Sequence, residues 1–427
     1  MSDALPLPPR PNLEQYKKLA KDLQTACQSG ESQAVRQWAT RWVANREADR
    51  IVQRWERLRK SHEHVADCTL TGVQFFIARE HGFPSWPVFA RHVQELARAQ
   101  SPESAFEAAA DAIVSGDIVT VRQLLTSYPG LAKQRSTREH HSTLLHYVSA
   151  NGIEDFRQKT PQNIVEITTL LLDAGAEVDA QSDAYGGGCT PLGLVATSVH
   201  PEEAGVQIAL LQVLLNRGAS LDQPSAGGNG QLVVHACLAN GQPEAARFLA
   251  DAGATLDVEG AAALGRLDVL RTFFDENGGA RPPIGPKELT SAFLYACGYG
   301  SREGAEFLLA HGVDPAVRNP EGQTGLHWAN YAPHLDIIRL LLDRGAPVSL
   351  KDEQHHATPL DMALWTWSNA SRAERRERCY EAVALLARAG ATFNPDQWRN
   401  AGETDSAMLR KINSDPRMLA SLRGELL

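Results

Sequence analysis

The side chains with the clearest chemical potential in this sequence are aromatic, and they recur in register. Thr-Pro-Leu-like phrases repeat along the chain. Counting the opening residue of each phrase as position 1, position 5 is Tyr147, Tyr295, Trp328 and Met362 in four copies. Position 8 is Tyr331 and Trp365 in two of them, and Tyr299 holds position 9 in another. On a helix that begins at the phrase, these positions share one face. Tyr and Trp combine a large rigid ring with a polar tip, which suits them to gripping a partner rather than to making or breaking bonds. Aromatic residues are 7% of the chain, so their concentration in three neighbouring copies marks a candidate surface. The competing reading is packing, in which the N-terminal helical region or the insert at 368–378 folds over the same rings.

Bond-making chemistry finds little support. There is no GxSxG, no isolated carboxylate pair and no Cys-His arrangement suited to nucleophilic catalysis, so no catalytic residue is assigned. Gly298-Tyr299-Gly300 with Gly304 imitates a nucleotide-binding loop, yet it follows a helical pattern where the true fingerprint follows a strand. No cofactor is expected. His62-Glu63-His64 lacks the four-residue spacing of a helical zinc motif, and no metal site is assigned. The pairs His140-His141 and His355-His356 precede two of the phrases in one register, and His141 and His356 are placed for a turn with positive φ. Arg46, Arg50 and Arg54 form a stripe, with Arg57, Arg59 and Lys60 nearby, but Glu47, Asp49 and Glu56 interleave with them. A solvated, salt-bridged face is expected there rather than a nucleic-acid contact.

Behind these residues stands a repeat. A closing phrase of paired leucines (Phe-Leu in the third copy), a Gly-Ala or Gly-Val and a turn returns at Leu171–Ala176, Leu214–Ala219, Phe248–Ala254, Leu308–Val313, Leu341–Ala346 and Leu385–Ala391. Its glycines (Gly175, Gly218, Gly253, Gly312, Gly345 and Gly390) lie 43, 35, 59, 33 and 45 residues apart, and a degenerate copy near Gly279 divides the long gap. A period near 33 with inserts is the signature of a stacked-repeat solenoid. The opening phrases read Thr143-Leu144-Leu145-His146, Thr190-Pro191-Leu192-Gly193, Thr324-Gly325-Leu326-His327 and Thr358-Pro359-Leu360-Asp361. They resemble the helix start of ankyrin repeats. The resemblance implies an all-α ankyrin solenoid of helix-turn-helix units with hairpin loops. It also implies that His146, His235 and His327, at position 4, hydrogen-bond to the neighbouring loop, and that positions 5, 8 and 9 face a concave groove.

Four segments follow. Residues 1–11 are an extended Pro-rich leader, 12–100 a helical N-terminal domain, 101–394 an array of seven or eight repeats with the fifth degenerate, and 395–427 a helical cap. Around Ala78–Pro87 the N-terminal domain resembles the helical region preceding ankyrin repeats in many bacterial proteins. Gly82 stops one helix there, Ser85 caps the next, Pro87 lies in its first turn and Trp86 acts as a staple. Inserts at 153–162, 199–205 and 368–378 are expected to lengthen turns.

Residues 1–100 carry 15 Lys/Arg against 11 Asp/Glu, whereas the remainder carries 27 against 40, a net of −13. That acidic stretch disfavours binding to a phosphate backbone. No apolar run reaches the roughly 18 residues of a membrane helix, and the Pro-rich start lacks the features of a secretory signal. Six scattered cysteines without a CxxC pair point to reduced thiols and a cytoplasmic setting. The reading is therefore a non-enzymatic binding module. Its expected partner is a protein or peptide segment held by Tyr147, Tyr295, Tyr299, Trp328, Tyr331, Met362 and Trp365. The alternative is a small apolar ligand, or an unusual enzyme, using an aromatic pocket between the array and the N-terminal helices.

Overall fold

The computed structural model describes residues 4–31, 33–98, 100–222, 231–395 and 403–425, without the side chains of 63, 64 and 403–406. The glycine-rich turn at 227–230 and the helix expected at 396–399 lie outside these residues. The chain divides into two compact units, 1–249 and 250–427.

The first unit opens with six helices: α1 Leu13–Gln28, α2 Ala34–Trp42, α3 Asn45–Ser61, α4 Glu63–Ala66, α5 Leu70–Glu80 and α6 Trp86–Leu96. Tyr16 and Leu23 share one face of α1, and with Trp38, Ile51, Trp55, Phe76, Phe83 and Phe89 they bury a common core. Gly82 takes the expected left-handed conformation (φ 78°) after α5. Ser85 occupies the cap position of α6, but its side chain makes no capping bond. Before α1 the extended chain is tied down, because Leu5 donates its N–H to the Glu80 carbonyl at 2.7 Å.

Cys27 and Cys68 form a disulfide, with Cα atoms 5.9 Å apart. This corrects the expectation of six reduced thiols for these two residues. The packing of α1 beside the turn before α5 juxtaposes cysteines 41 apart in sequence, a spacing that carries no motif. Cys189, Cys237, Cys297 and Cys379 are free and buried, as small core residues should be.

Helix pairs follow. The first is α7 Pro102–Ser115 with α8 Ile118–Ser127; the second is a short 3-10 turn, Leu144–Ser149, with α9 Ile164–Asp173. The third is α10 Pro191–Ala196 with α12 Gln207–Asn216, between which the insert forms α11 Val199–Glu203. The fourth is α13 Val233–Ala239 with α14 Pro243–Asp251, and the division between the units falls inside α14.

The second unit continues with α15 Val258–Ala263 and α16 Leu267–Leu270, the degenerate pair. Lacking the Thr phrase, α15 is capped by Asp257, whose carboxylate accepts the Gly260 N–H at 2.7 Å. Next come α17 Pro286–Tyr299 and α18 Arg302–Ala310, α19 Gly325–Tyr331 and α20 Leu335–Asp343, then α21 Pro359–Asn369 and α22 Ala373–Arg388. The helices Glu403–Ser414 and Pro416–Leu422 pack at the end, where the Tyr380 hydroxyl donates to Asp415 at 2.7 Å. In α20, Ile337, Ile338, Leu340 and Leu341 are buried, and Gly345 follows at φ 76°.

Candidate functional site

Two inner helical segments are set in place by a Thr-x-x-His phrase. At α19 the Thr324 N–H donates to Nδ1 of His327 at 3.1 Å, which leaves Nε2 as the protonated nitrogen, 3.0 Å from the Ala357 carbonyl of the next hairpin. His146 does the same between Thr143 and the Cys189 carbonyl. Burial pushes His146 down to about 4, and His327 also below its ordinary value, so both act as neutral connectors. His141 and His356 adopt positive φ (45° and 51°), as the turn register requires.

The aromatic positions of the second unit lie on α17, α19 and α21. Tyr295 and Tyr299, one turn apart on α17, stack with centroids 6.1 Å apart, and Trp328 of α19 lies 5.4 Å from Tyr295. Gly298 makes room for that indole: a Cβ there would stand 2.8 Å from Cε3 of Trp328. The indole N–H donates to Gln323 at 3.1 Å. Burial raises the Tyr295 phenol to about 12, with Glu259 and Asp257 adding to the effect, so it remains a neutral donor. The glycines that imitate a nucleotide loop thus have local duties. Gly300 turns the chain at φ 74°, and a Cβ on Gly304 would fall 2.2 Å from the Ala262 carbonyl.

A second aromatic pair is more open. Tyr331 and Trp365 stack at 6.1 Å with an interplanar angle of 17°, and they are 58% and 44% exposed. Six large hydrophobic side chains are exposed among the described residues, and these are two of them. The backbone beneath them is held rigidly. Thr366 donates to the Asn330 carbonyl at 3.0 Å, and Arg375 to the Tyr331 carbonyl at 2.6 Å. Met362 lies half-buried one turn before Trp365. The structure therefore brings six of the seven candidate residues into one unit, five of them in two aromatic groups.

Tyr147 is different. It is fully buried in the first unit, against Phe106 and His140, and so belongs to a core rather than a groove. The reason lies in the insert at 153–162, which does more than lengthen a turn. It carries Glu154 and Arg157 inward, and the Tyr147 hydroxyl donates to Glu154 at 3.4 Å. Arg138 pairs with Glu154 at 2.5 Å and with Glu107 at 3.1 Å, while Arg157 reaches Glu107 and Asp111, both at 2.8 Å. Arg138 also donates to the His81 carbonyl at 2.6 Å, joining the N-terminal helices to the network. Burial pushes Glu107 and Glu154 up, but the two guanidiniums outweigh it and hold Glu107 at about 2 and Glu154 well below the carboxylate range. Burial lowers His92 to about 4, so its approach to Glu107 at 3.7 Å is not an ion pair at neutral pH.

A hollow of about 450 Å³ also lies against the inner helices of the third and fourth pairs, with Asn151, Gln158, Thr197, His200 and Asn240 in its wall. Nothing in the repeat register announced it. Among the described residues its lining mixes amides and hydroxyls with Leu192, Leu194, Val199, Leu221 and Val233, and holds no Asp, Glu, Lys or Arg.

The family model for ankyrin repeats (three copies) matches residues 259–352 and 293–396, the helix pairs of the second unit. These are ankyrin repeats. The E3 ubiquitin-protein ligase KEG of Arabidopsis thaliana is 25% identical over 363 residues, covering 71% of this chain and 21% of that protein. The ankyrin repeat and KH domain-containing protein mask-1 of Caenorhabditis elegans is 26% identical over 204 residues, covering 46% and 7%. The chain thus spans about a fifth of the first relative and less than a tenth of the second. Both relatives are eukaryotic and do not bear on the bacterial leader that residues 78–87 resemble. The ankyrin repeat domain of Bcl-3, of the IκB family, aligns with 65% of this chain and 97% of that domain at 19% identity and a TM-score of 0.31. Ankyrin repeats are modules of protein–protein interaction, and the chain carries that module behind a helical N-terminal region. No described helix is long and apolar enough to cross a membrane.

Proposed function

We propose that the ankyrin repeats between residues 286 and 369 grip a segment of a partner protein, with Tyr295, Trp328, Tyr331 and Trp365 as anchors. The observation that carries this reading is the Tyr331–Trp365 pair, stacked and exposed on backbone fixed by Thr366 and Arg375. Rigid aromatic rings lose little conformational entropy on binding, and burying them against a partner removes a large apolar area from water. The proposed setting is the cytoplasm, which the four free thiols favour and the Cys27–Cys68 disulfide opposes.

Affinity capture from a lysate of the source organism, with the intact chain as bait, tests the anchors. The Trp328→Ala, Trp365→Ala double variant should lose its specific partners, with affinity falling about tenfold or more per anchor. Retention of the same partners at the same strength would sink the proposal.

A further inference from the structure

We propose that the N-terminal helices hold a binding site for a phosphomonoester group on a small molecule, at a cavity of about 390 Å³ between α3 and α5. Arg54, Arg57 and Ser61 line it from α3, Arg79 and Glu80 from α5, and Glu139 closes one side. The volume is that of a small-molecule pocket. Arg54 and Arg57 come from the basic stripe, and the folding of α5 against α3 adds a third guanidinium that the stripe did not contain.

Two of the three cations are braced. Arg54 pairs with Glu80 at 3.3 Å, and Arg79 pairs with Glu139. Glu139 is itself anchored, its N–H donating to the Gly82 carbonyl at 2.9 Å. Asp49, one of the acids interleaved in the stripe, is turned away to Arg36 at 2.8 Å, while Arg57 stands exposed at the cavity. The lining therefore carries three positive charges against two negative, in a region with a net of +4 in an acidic chain. Partial burial pushes Arg79 below its ordinary value, with Glu80 offsetting part of the effect, so a bound anion would recover lost solvation there. Guanidinium forks match phosphate oxygens bidentately. Arg57 and Arg79 are assigned the direct contacts, and Arg54 a positioning role.

The test is calorimetric titration of the full chain with inorganic phosphate and with phenyl phosphate, at matched ionic strength against chloride. Saturable binding is expected with both phosphates and not with chloride. Arg57→Ala, an exposed position, should weaken it about tenfold or more, and Arg46→Ala, on the same stripe but outside the cavity, should leave it unchanged. Glu139→Gln, which releases Arg79, should tighten it. A response to phosphate no stronger than to chloride, or saturation unaltered by Arg57→Ala, overturns the assignment. Circular dichroism of each variant confirms that the helices are intact.

Discussion

The aromatic groups of the second unit and the charged network of the first solve opposite problems with similar residue types. Tyr331 and Tyr147 both follow a Thr-Leu-His-type phrase, at positions 8 and 5 respectively. One ends 58% exposed against Trp365, and the other ends fully buried beside Glu154 and Arg157. The difference comes from register position and from what the following segment does. After α19 the chain turns directly into α20, leaving the face of the inner helix open. After Leu144–Ser149 an insert folds back and covers it, bringing an acid and a base along. The register of a repeat thus places a side chain on a face, but neighbouring insertions decide whether that face meets water.

Removing one cation from the buried network should have the largest effect. Arg138→Leu leaves Glu107 and Glu154 facing Arg157 alone. A loss of about 3–5 kcal/mol is expected in the first unit, read as faster hydrogen exchange in peptides from residues 102–173. Unchanged protection there would mean that the network contributes little.

Alanine at the two tyrosines sharpens the comparison directly. Tyr147→Ala should cost about 3–5 kcal/mol through the cavity it leaves, whereas Tyr331→Ala should stay within about 0.5 kcal/mol. Urea midpoints followed by circular dichroism check both. Equal effects would break the distinction between core and surface.

Acid should act next. Burial holds His81 and His92 at about 4, below the ordinary 6.5, so the unfolded chain takes up those protons first. Their contribution is complete above about pH 6.5 and is lost as the pH falls towards 4, at about 1.4 kcal/mol per pH unit for each histidine. Glu107, held at about 2 rather than 4.5, adds loss in the same direction below pH 4.5. Thermal midpoints measured from pH 7 to 4 should fall, and His92→Gln should flatten the slope. The smallest effect is expected at the aromatic surface, where Trp365→Ser should leave those midpoints nearly unchanged while weakening partner capture.

Much of the second unit was legible because its information is local. The Thr-Leu-His phrase, the paired leucines and Gly345 specify cap, packed face and stop within one stretch of chain, and the aromatic positions ride on that frame. The hollow beside α10 and α13, the Cys27–Cys68 pair and the cavity at Arg57 and Arg79 had no such frame. Each joins residues from separate elements whose spacing follows no period.

The sequence alone determined that this chain is helical and carries ankyrin repeats, and that aromatic residues cluster in three neighbouring copies, because caps, turns and helical faces are short-range properties. Only the tertiary structure decided which ring is a core residue, which arginines share a cavity and which acids hold them. Burial and charge pairing depend on what the rest of the chain lays against a residue, and that is not written beside it.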